Sequence, residues 1–280
     1  MSTQPLSLLD AFQKRFSVRI YPGQQLTGQQ TEIIERIVKE VNKLDTPFHS
    51  AGVEISQTGP GLGISYNGLD IITNEAGFIV CKISSNTTIQ RSTIIDLTYI
   101  AQHALIKLEQ NHIHTIWLAG TYDRKLAEER FKGYLVPSVI AFGPGEASKE
   151  ENLKLREKMG LKGGRLPFDQ LFYDGIKKKN ISENDLNDYQ PFMKDFLTAL
   201  RSGPSACNFQ TWRFVISGKE VHLFDAKVDD YSNFDMGIAL ANLHMLAELR
   251  GGKFNLEFRK PAPQGPPSFG EYVATAIYAE

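Results

Sequence analysis

The sequence is poor in cysteine, has no excess of charge of either sign and contains no long apolar run. Its two cysteines, Cys81 and Cys207, form no C-x-x-C pair, which excludes a disulfide framework. Lys and Arg number 31 and Asp and Glu number 32, so bulk attraction to nucleic-acid phosphates is not expected. No stretch approaches the ~20 apolar residues of a membrane helix, and the N-terminus lacks a signal-peptide pattern. We therefore expect a cytoplasmic protein with no nucleic-acid or membrane partner.

The common catalytic and metal-binding motifs are also absent. There is no G-x-S-x-G elbow, no H-E-x-x-H, no G-x-G-x-x-G and no Walker A loop. The glycine-rich run 59–63 lacks a clear strand before it and a helix after it, which disfavours a Rossmann interpretation. His112 and His114 alternate without a third ligand nearby, so we expect surface or core histidines and predict no metal site.

The chain length and the apolar pattern predict a mixed helix and strand protein. At ~150 residues per domain, 280 residues correspond to about two domains. Helical spacing predicts helices at Leu6–Phe16, Thr27–Leu44, Ile94–Leu108, Pro191–Arg201 and Asp235–Leu249, the last stopped by Gly251-Gly252. Short apolar runs predict strands at Gly77–Ser84, Thr115–Leu118, Ser138–Phe142, Phe214–Ile216, Val221–Phe224, Phe254–Phe258 and Tyr272–Tyr278.

The domain boundary is predicted in a polar stretch. Residues 144–163 are charged and helix-prone, and residues 174–190 have the composition of an exposed connection. We therefore expect domains at 1–175 and 190–280, joined by 176–189.

Two segments of the chain resemble each other. Asp96–Leu108 (DLTYIAQHALIKL) is similar to Asp235–Leu249 (DMGIALANLHMLAEL), and each half runs helix, irregular loop, strand and an apolar helix opened by aspartate. The similarity is weak and fits either a fused duplicate or chance.

Two other segments have the composition of a ligand site. Lys14–Arg19 places two guanidinium groups and a hydroxyl at a helix end, which suits a phosphate; the alternative is a basic helix terminus that complements the helix dipole. Gly203–Phe214 (GPSACNFQTWRF) combines small residues with Ser, Asn and Gln hydrogen-bonding groups; the alternative is a capped turn before a strand. Neither segment decides the question alone.

Together, R-x-S-x-R at 15–19 and P-S-x-x-N-x-Q-x-W at 204–212 resemble the nitroreductase family of FMN-dependent oxidoreductases, most of all its "putative TM nitroreductase" subgroup. Segments 96–108 and 115–120 resemble the family's central helix and following strand, 136–143 its core strand, and 164–167 its late basic phosphate contact. The resemblance extends from about residue 8 to residue 250. It implies an α+β sandwich with FMN as cofactor, usually as a homodimer with FMN at the subunit interface.

The resemblance also implies the cofactor-binding residues. The N-terminal group would hold the FMN phosphate and nearby flavin edge, with Arg165 as a second phosphate donor. Residues 204–208 would line the isoalloxazine and ribityl chain, and residues 119–120 would place a backbone N–H near flavin N5. The predicted set is Arg15, Phe16, Ser17, Arg19, Ala119, Gly120, Arg165, Pro204, Ser205, Ala206 and Asn208. No catalytic side chain is expected, because the flavin carries the chemistry.

The sequence departs from the family pattern in both ligand segments. Phe16 stands where a basic residue or histidine is usual, and Thr211 replaces the proline before the tryptophan. Gly163 stands where a second lysine is often found, which makes the phosphate clamp thinner. Cys207 lies next to the flavin loop and is expected to be a small packing residue rather than a redox thiol.

Each half keeps the motif that the other lacks. The loop 45–55 of the first half has no N-x-Q-x-W pattern, and the second half has no R-x-S-x-R before Pro191. We therefore predict a fused pseudo-dimer with one FMN site, in which the first half gives the phosphate clamp and the second gives the Asn208 loop. Such a chain is expected to be a monomer or a weak homo-oligomer.

The implied activity is hydride transfer from NAD(P)H through flavin N5 to an electron-poor acceptor such as a nitroaromatic or a quinone. Two alternatives remain open: a non-catalytic flavin-binding module, which the thinner phosphate clamp favours, and a flavin-free pseudo-enzyme.

Overall fold

The computed structural model describes residues 4–66, 68–161, 163–249 and 253–279. The chain is an α+β protein that divides into two compact units, Met1–Lys162 and Gly163–Glu280. The predicted helix stop at Gly251-Gly252 lies outside the described residues. Among the residues that are described, no helix has both the length and the apolar character needed to cross a bilayer.

The first unit contains five of the described helices and six of the described strands. The helices are α1 (Leu8–Lys14), α2 (Gly28–Val41), α3 (Arg91–Gln110), α4 (Arg124–Arg130) and α5 (Lys149–Lys158). The strands are β1 (Val53–Thr58), β2 (Ser65–Tyr66), β3 (Leu69–Asp70), β4 (Gly77–Ser84), β5 (Ile113–Leu118) and β6 (Tyr134–Pro144). The predicted helices and strands of this unit are therefore confirmed in type and approximate bounds.

Local capping explains where the first two helices begin. The Ser7 hydroxyl accepts the Asp10 N–H at 3.1 Å, and Thr27 and Gln30 form the predicted capping box. α3 differs from α2 because it is buried almost all round from Thr93 to Glu109, which is the pattern of a helix inside the core. Its sheet has the order β1-β4-β6-β5, with every pairing antiparallel.

The second unit is built around a six-stranded sheet and one buried helix. Its helices are α6 (Phe168–Leu171), α7 (Pro191–Ser202) and α8 (Asp230–Glu248). Its strands are β7 (Phe172–Asp174), β8 (Lys179–Asn180), β9 (Trp212–Ser217), β10 (Glu220–Asp225), β11 (Lys253–Glu257) and β12 (Glu271–Ala279). The sheet order is β11-β12-β10-β9-β7-β8, antiparallel except for the parallel pair β7 and β9. The hairpin predicted at Ser217-Gly218 joins β9 to β10, and Gly218 has the positive φ (64°) that suits such a turn.

The two units share one strand topology. In chain order, the first unit runs α2, β1, β4, α3, β5 and β6, and the second runs α7, β9, β10, α8, β11 and β12. In each sheet the first of these strands pairs with the second, the second with the fourth and the fourth with the third, always antiparallel. The long buried helix follows the second strand in both cases. The similarity noted between the sequences of α3 and α8 thus coincides with equivalent positions in the topology.

A buried aspartate repeats at the same place in each long helix. Asp96 lies five residues after the first residue of α3, and Asp235 lies five residues after the first residue of α8. Both are fully buried. Asp96 accepts the backbone N–H groups of Phe48 and Ser50, and Asp235 accepts that of Ala206 at 2.8 Å. In each unit the carboxylate therefore fixes the loop between a helix and the strand that follows it, β1 in the first unit and β9 in the second.

The boundary between the compact units differs from the expected connection at 176–189. The second unit begins at Gly163, because Phe172–Asp174 pairs in parallel with β9. The segment 174–190 is also more ordered than a plain connection: it contains β8 and a 3-10 turn at Asn184–Asp188. The Tyr189 hydroxyl donates to Asp174 at 2.7 Å across this segment.

Candidate functional site

The N-terminal arginine segment, defined as residues 15–19, follows α1 and contains neither helix nor strand. Val18 lies in the hydrophobic core, and its N–H donates to the Thr115 carbonyl of β5 at 3.2 Å. The side chains of Arg15, Ser17 and Arg19 are half-buried. Their role in binding a phosphate stays a prediction.

Phe16 belongs to the arginine segment and lies near the first half of β5. Phe16 packs against the core cluster that contains Val18, and its ring centroid lies 6.3 Å from that of His114. Ala119 and Gly120 follow β5 directly; Gly120 is exposed, and a Cβ added there would meet nothing within 4 Å. A ligand approaching the backbone at Gly120 would meet no side chain of that residue. The cofactor roles of these residues stay predictions.

Three arginines of the first unit carry buried donors that are not satisfied. Arg15 Nη1, Arg19 Nε and Arg156 Nε are each buried without a hydrogen-bond partner among the described residues. Burial and, to a smaller extent, the charge of Arg156 lower the pKa of Arg19 to about 10. Burial also lowers the pKa of Arg15, while the Glu109 charge opposes this shift. A buried donor without an acceptor is costly, so these three nitrogen atoms suit an anionic ligand.

Asn152 of α5 fixes the backbone at the end of the arginine segment. Its Oδ1 accepts the N–H groups of Arg19 at 2.6 Å and of Ile20 at 3.0 Å. Its Nδ2 donates to the Ser148 carbonyl at 2.8 Å. Sequence reasoning missed this residue, because its partners lie more than 130 positions earlier in the chain and no local pattern marks them.

The Asn208 loop, defined as residues 203–211, belongs to the second unit and has an unusual backbone. Cys207, Asn208 and Gln210 have φ values of 47°, 59° and 52°, in the left-handed region. Each such residue costs on the order of 1–2 kcal/mol relative to ordinary backbone. The loop is closed by short internal bonds: the Gln210 N–H donates to the Ser205 hydroxyl at 3.0 Å, and the Asn208 N–H to the Ser205 carbonyl. Such strain persists only where the surrounding structure holds the loop in place.

Arg165 is one of the groups that hold this loop. Its guanidinium donates to the carbonyls of Ser202 and Gly203, both at 2.7 Å, and to Asn208 Oδ1 at 3.2 Å. Asn208 Nδ2 in turn donates to the Gly164 carbonyl at 2.8 Å. The structure therefore brings Arg165 together with the predicted loop residues, and the contacts it makes there position the loop. Its expected role as a phosphate donor stays a prediction.

Asp235 also anchors the Asn208 loop. It accepts the Ala206 N–H at 2.8 Å and the Thr211 hydroxyl at 2.9 Å. Burial raises the pKa of Asp235 to about 7, and the nearby Asp225 charge also acts to raise it. The hydrogen bonds from Ala206 and Thr211 act in the opposite direction and lower the pKa. Thr211, which departs from the proline usual in the family, thus supplies a hydroxyl that proline would lack.

The two thiols lie in opposite environments. Cys81 is fully buried in β4, and burial raises the pKa of its thiol to about 12. Cys207 is exposed. The expectation that Cys207 is a packing residue is therefore wrong, because its side chain is exposed.

A thiol titration of the native protein is expected to modify one cysteine per chain. Cys207 should react with a disulfide reagent within minutes, whereas Cys81 should react only after unfolding, because the thiolate is the reactive form. Mass spectrometry of the labelled peptides identifies the site. Labelling of Cys81 at the rate of Cys207 would contradict the burial of β4.

Comparison with known proteins identifies the family. The model of the family described as "Putative TM nitroreductase" matches residues 7–247. The chain belongs to this nitroreductase family. Family membership supports a general oxidoreductase role. No curated protein matches the sequence.

Two solved structures are similar to this chain to different degrees. A Thermotoga maritima protein described as "a putative nitroreductase" is 17% identical with a TM-score of 0.61, and the match covers 100% of this chain and 97% of that chain. A nitroreductase family protein from Clostridium difficile is 14% identical with a TM-score of 0.41, covering 55% of this chain and 92% of that chain. The first match shows that this chain has the nitroreductase fold.

Proposed function

We propose that this protein is an FMN-dependent oxidoreductase that takes reducing equivalents from NAD(P)H and passes them to an electron-poor acceptor such as a nitroaromatic or a quinone. The observation that carries the proposal is the set of buried guanidinium donors without partners in the R-x-S-x-R segment of a nitroreductase-family chain. A phosphate dianion is the ligand that planar guanidinium donors and a neighbouring hydroxyl bind best.

Two groups of residues would hold FMN. Arg15, Ser17 and Arg19 would bind the phosphate, and the Ala119-Gly120 backbone would lie near the flavin ring. Residues 204–208 would line the isoalloxazine and ribityl chain, on a loop that Arg165 and Asp235 hold in place. When bound, FMN supplies the hydride-transfer chemistry, so the protein's work is binding and orientation.

The one-site arrangement follows from the same reasoning. Both units share a topology and a buried loop-anchoring aspartate, which supports descent from a fused duplicate. The loop that Asp96 anchors lacks the N-x-Q-x-W pattern, and the second unit lacks an R-x-S-x-R segment. We propose one FMN per chain, with the arginine segment as its phosphate clamp.

The test is the flavin content of the purified protein and its reactivity. We expect the visible absorption spectrum of a protein-bound flavin and the release of about one FMN per chain. We also expect NAD(P)H oxidation that depends on added quinone or nitroaromatic. We also expect FMN to slow the labelling of Cys207, which is exposed in the loop. A variant without the thiol, Cys207→Ser, serves as the control for that labelling.

Each other outcome has a definite meaning. Two FMN per chain would contradict the one-site arrangement. Flavin retention without NAD(P)H oxidation would leave a non-catalytic flavin-binding module. Failure to bind FMN in excess would contradict the proposed function altogether.

A further inference from the structure

Helix α5 meets the arginine segment at one point. Asn152 is buried in this otherwise charged helix, and it accepts the backbone N–H groups of Arg19 and Ile20 at 2.6 and 3.0 Å. Arg156 lies four residues later, one turn along the same helix face. The bond between Asn152 and the Arg19 backbone therefore places Arg156 next to Arg19.

The juxtaposition brings two like charges together without an acidic partner. In the described part of the chain, neither Arg19 nor Arg156 forms an ion pair with a carboxylate. The Nε atom of each guanidinium is buried and has no hydrogen-bond acceptor there. Repulsion between the two charges contributes to the lowered pKa of Arg19.

Such a pair is unfavourable unless something negative binds between the two groups. A buried donor without an acceptor loses the hydrogen bonds that water would give it, and a buried charge also loses solvation. Arginine remains protonated under these conditions, so the pair cannot relieve the repulsion by losing a proton. An anion with several oxygen acceptors would satisfy both Nε donors and both charges at once.

We propose that Arg156 is a further phosphate ligand, which completes with Arg19 an anion site for the FMN phosphate, and that Asn152 is the residue that positions this site. The proposal rests on the proposed function for the identity of the ligand, but the anion site itself rests on the two guanidinium groups. Helix α5, whose sequence indicates only a charged and helix-prone segment, would then take part in cofactor binding.

The test compares FMN with riboflavin, which lacks the phosphate, by fluorescence titration. In Arg156→Gln we expect the Kd for FMN to rise about 10- to 150-fold, as for loss of one charged hydrogen-bonding partner. The riboflavin Kd should change less than about twofold by the same reasoning. Lys154→Gln is the matched control, because Lys154 lies on the same helix, is exposed and pairs with Glu150 at 2.6 Å. That control should leave the FMN Kd unchanged.

A second measurement separates binding from a structural role. Without ligand, Arg156→Gln should melt at the temperature of the wild type or above it, because the change removes repulsion with Arg19. Arg156→Lys, which keeps the charge, should retain part of the FMN affinity. A lower melting temperature with equal losses for FMN and riboflavin would overturn the proposal and make Arg156 a structural residue.

A titration with inorganic phosphate tests the anion site independently of flavin binding. If the wild type binds no flavin but binds phosphate, and Arg156→Gln abolishes that binding, the anion site stands and the proposed function fails. If the wild type prefers FMN to riboflavin and Arg156→Gln leaves that preference intact, the anion-site proposal fails and the proposed function stands. Absence of both flavin and phosphate binding would overturn both.

Discussion

Replacing both Arg15 and Arg19 with alanine is expected to weaken FMN binding by about 10²- to 10⁴-fold. Hydrogen bonds to charged groups contribute ~1.5–3 kcal/mol each, and the double variant removes one guanidinium from each end of the R-x-S-x-R segment. Both arginines have buried donors without a partner in the described residues, so no internal ion pair is broken by the change. Isothermal titration of the flavin-free protein with FMN measures the effect.

The control for this variant is the neighbouring lysine. Lys14 is exposed and pairs with Asp10 at 2.9 Å, so Lys14→Ala removes a nearby positive charge without touching the proposed site. We expect its FMN affinity to stay within about twofold of the wild type, since exposed ion pairs contribute little. Equal FMN affinity in the double variant and the wild type would show that the arginine segment is only the basic end of α1.

The second large effect concerns Asp235 and the dependence of stability on pH. Its folded-state pKa of about 7 lies above the ordinary aspartate value of 3.8. Between these two values the folded protein keeps the proton while the unfolded chain releases it, so stability falls as pH rises from about 4 to 7. Well above pH 7 the loss is complete, at on the order of 4 kcal/mol.

Asp235→Asn is expected to remove most of this pH dependence. The amide oxygen can still accept the Ala206 N–H, and the amide group carries no charge to bury. Urea unfolding at pH 5 and pH 8 measures the difference: the variant should be more stable than the wild type at pH 8 and similar to it near pH 4. Asp235→Ala is the contrasting variant, because it leaves the Ala206 N–H and the Thr211 hydroxyl without their acceptor and should be destabilised at both pH values. A wild type whose stability does not fall between pH 5 and pH 8 would contradict the raised pKa.

The two aspartates that anchor loops show why the site is harder to predict than the fold. Asp96 and Asp235 open the two similar segments found in the sequence, and both prove to lie at the same point of a long buried helix. The sequence offered the similarity but no partner for either carboxylate. Asp235 and Ala206 are 29 positions apart in the chain, so the Asp235 carboxylate reaches the Ala206 N–H only when the Asn208 loop packs against α8.

The sequence by itself determined the family and the order and type of most elements, and it marked two segments whose cofactor roles stay predictions. These follow from local patterns: the capping box at Thr27, the hairpin at Ser217-Gly218 and the two motifs at 15–19 and 204–212. Apolar periodicity and capping act over a few residues, so they can be seen in the chain before it folds.

The tertiary structure decided which groups are buried, which are paired and which are left without partners. It brought Asn152 to the Arg19 backbone, turned the Arg165 guanidinium onto the Asn208 loop and exposed Cys207. It also gave the raised pKa of Asp235, which depends on burial. Desolvation and contacts between distant residues exist only in the folded chain, and these properties therefore could not be predicted from spacing.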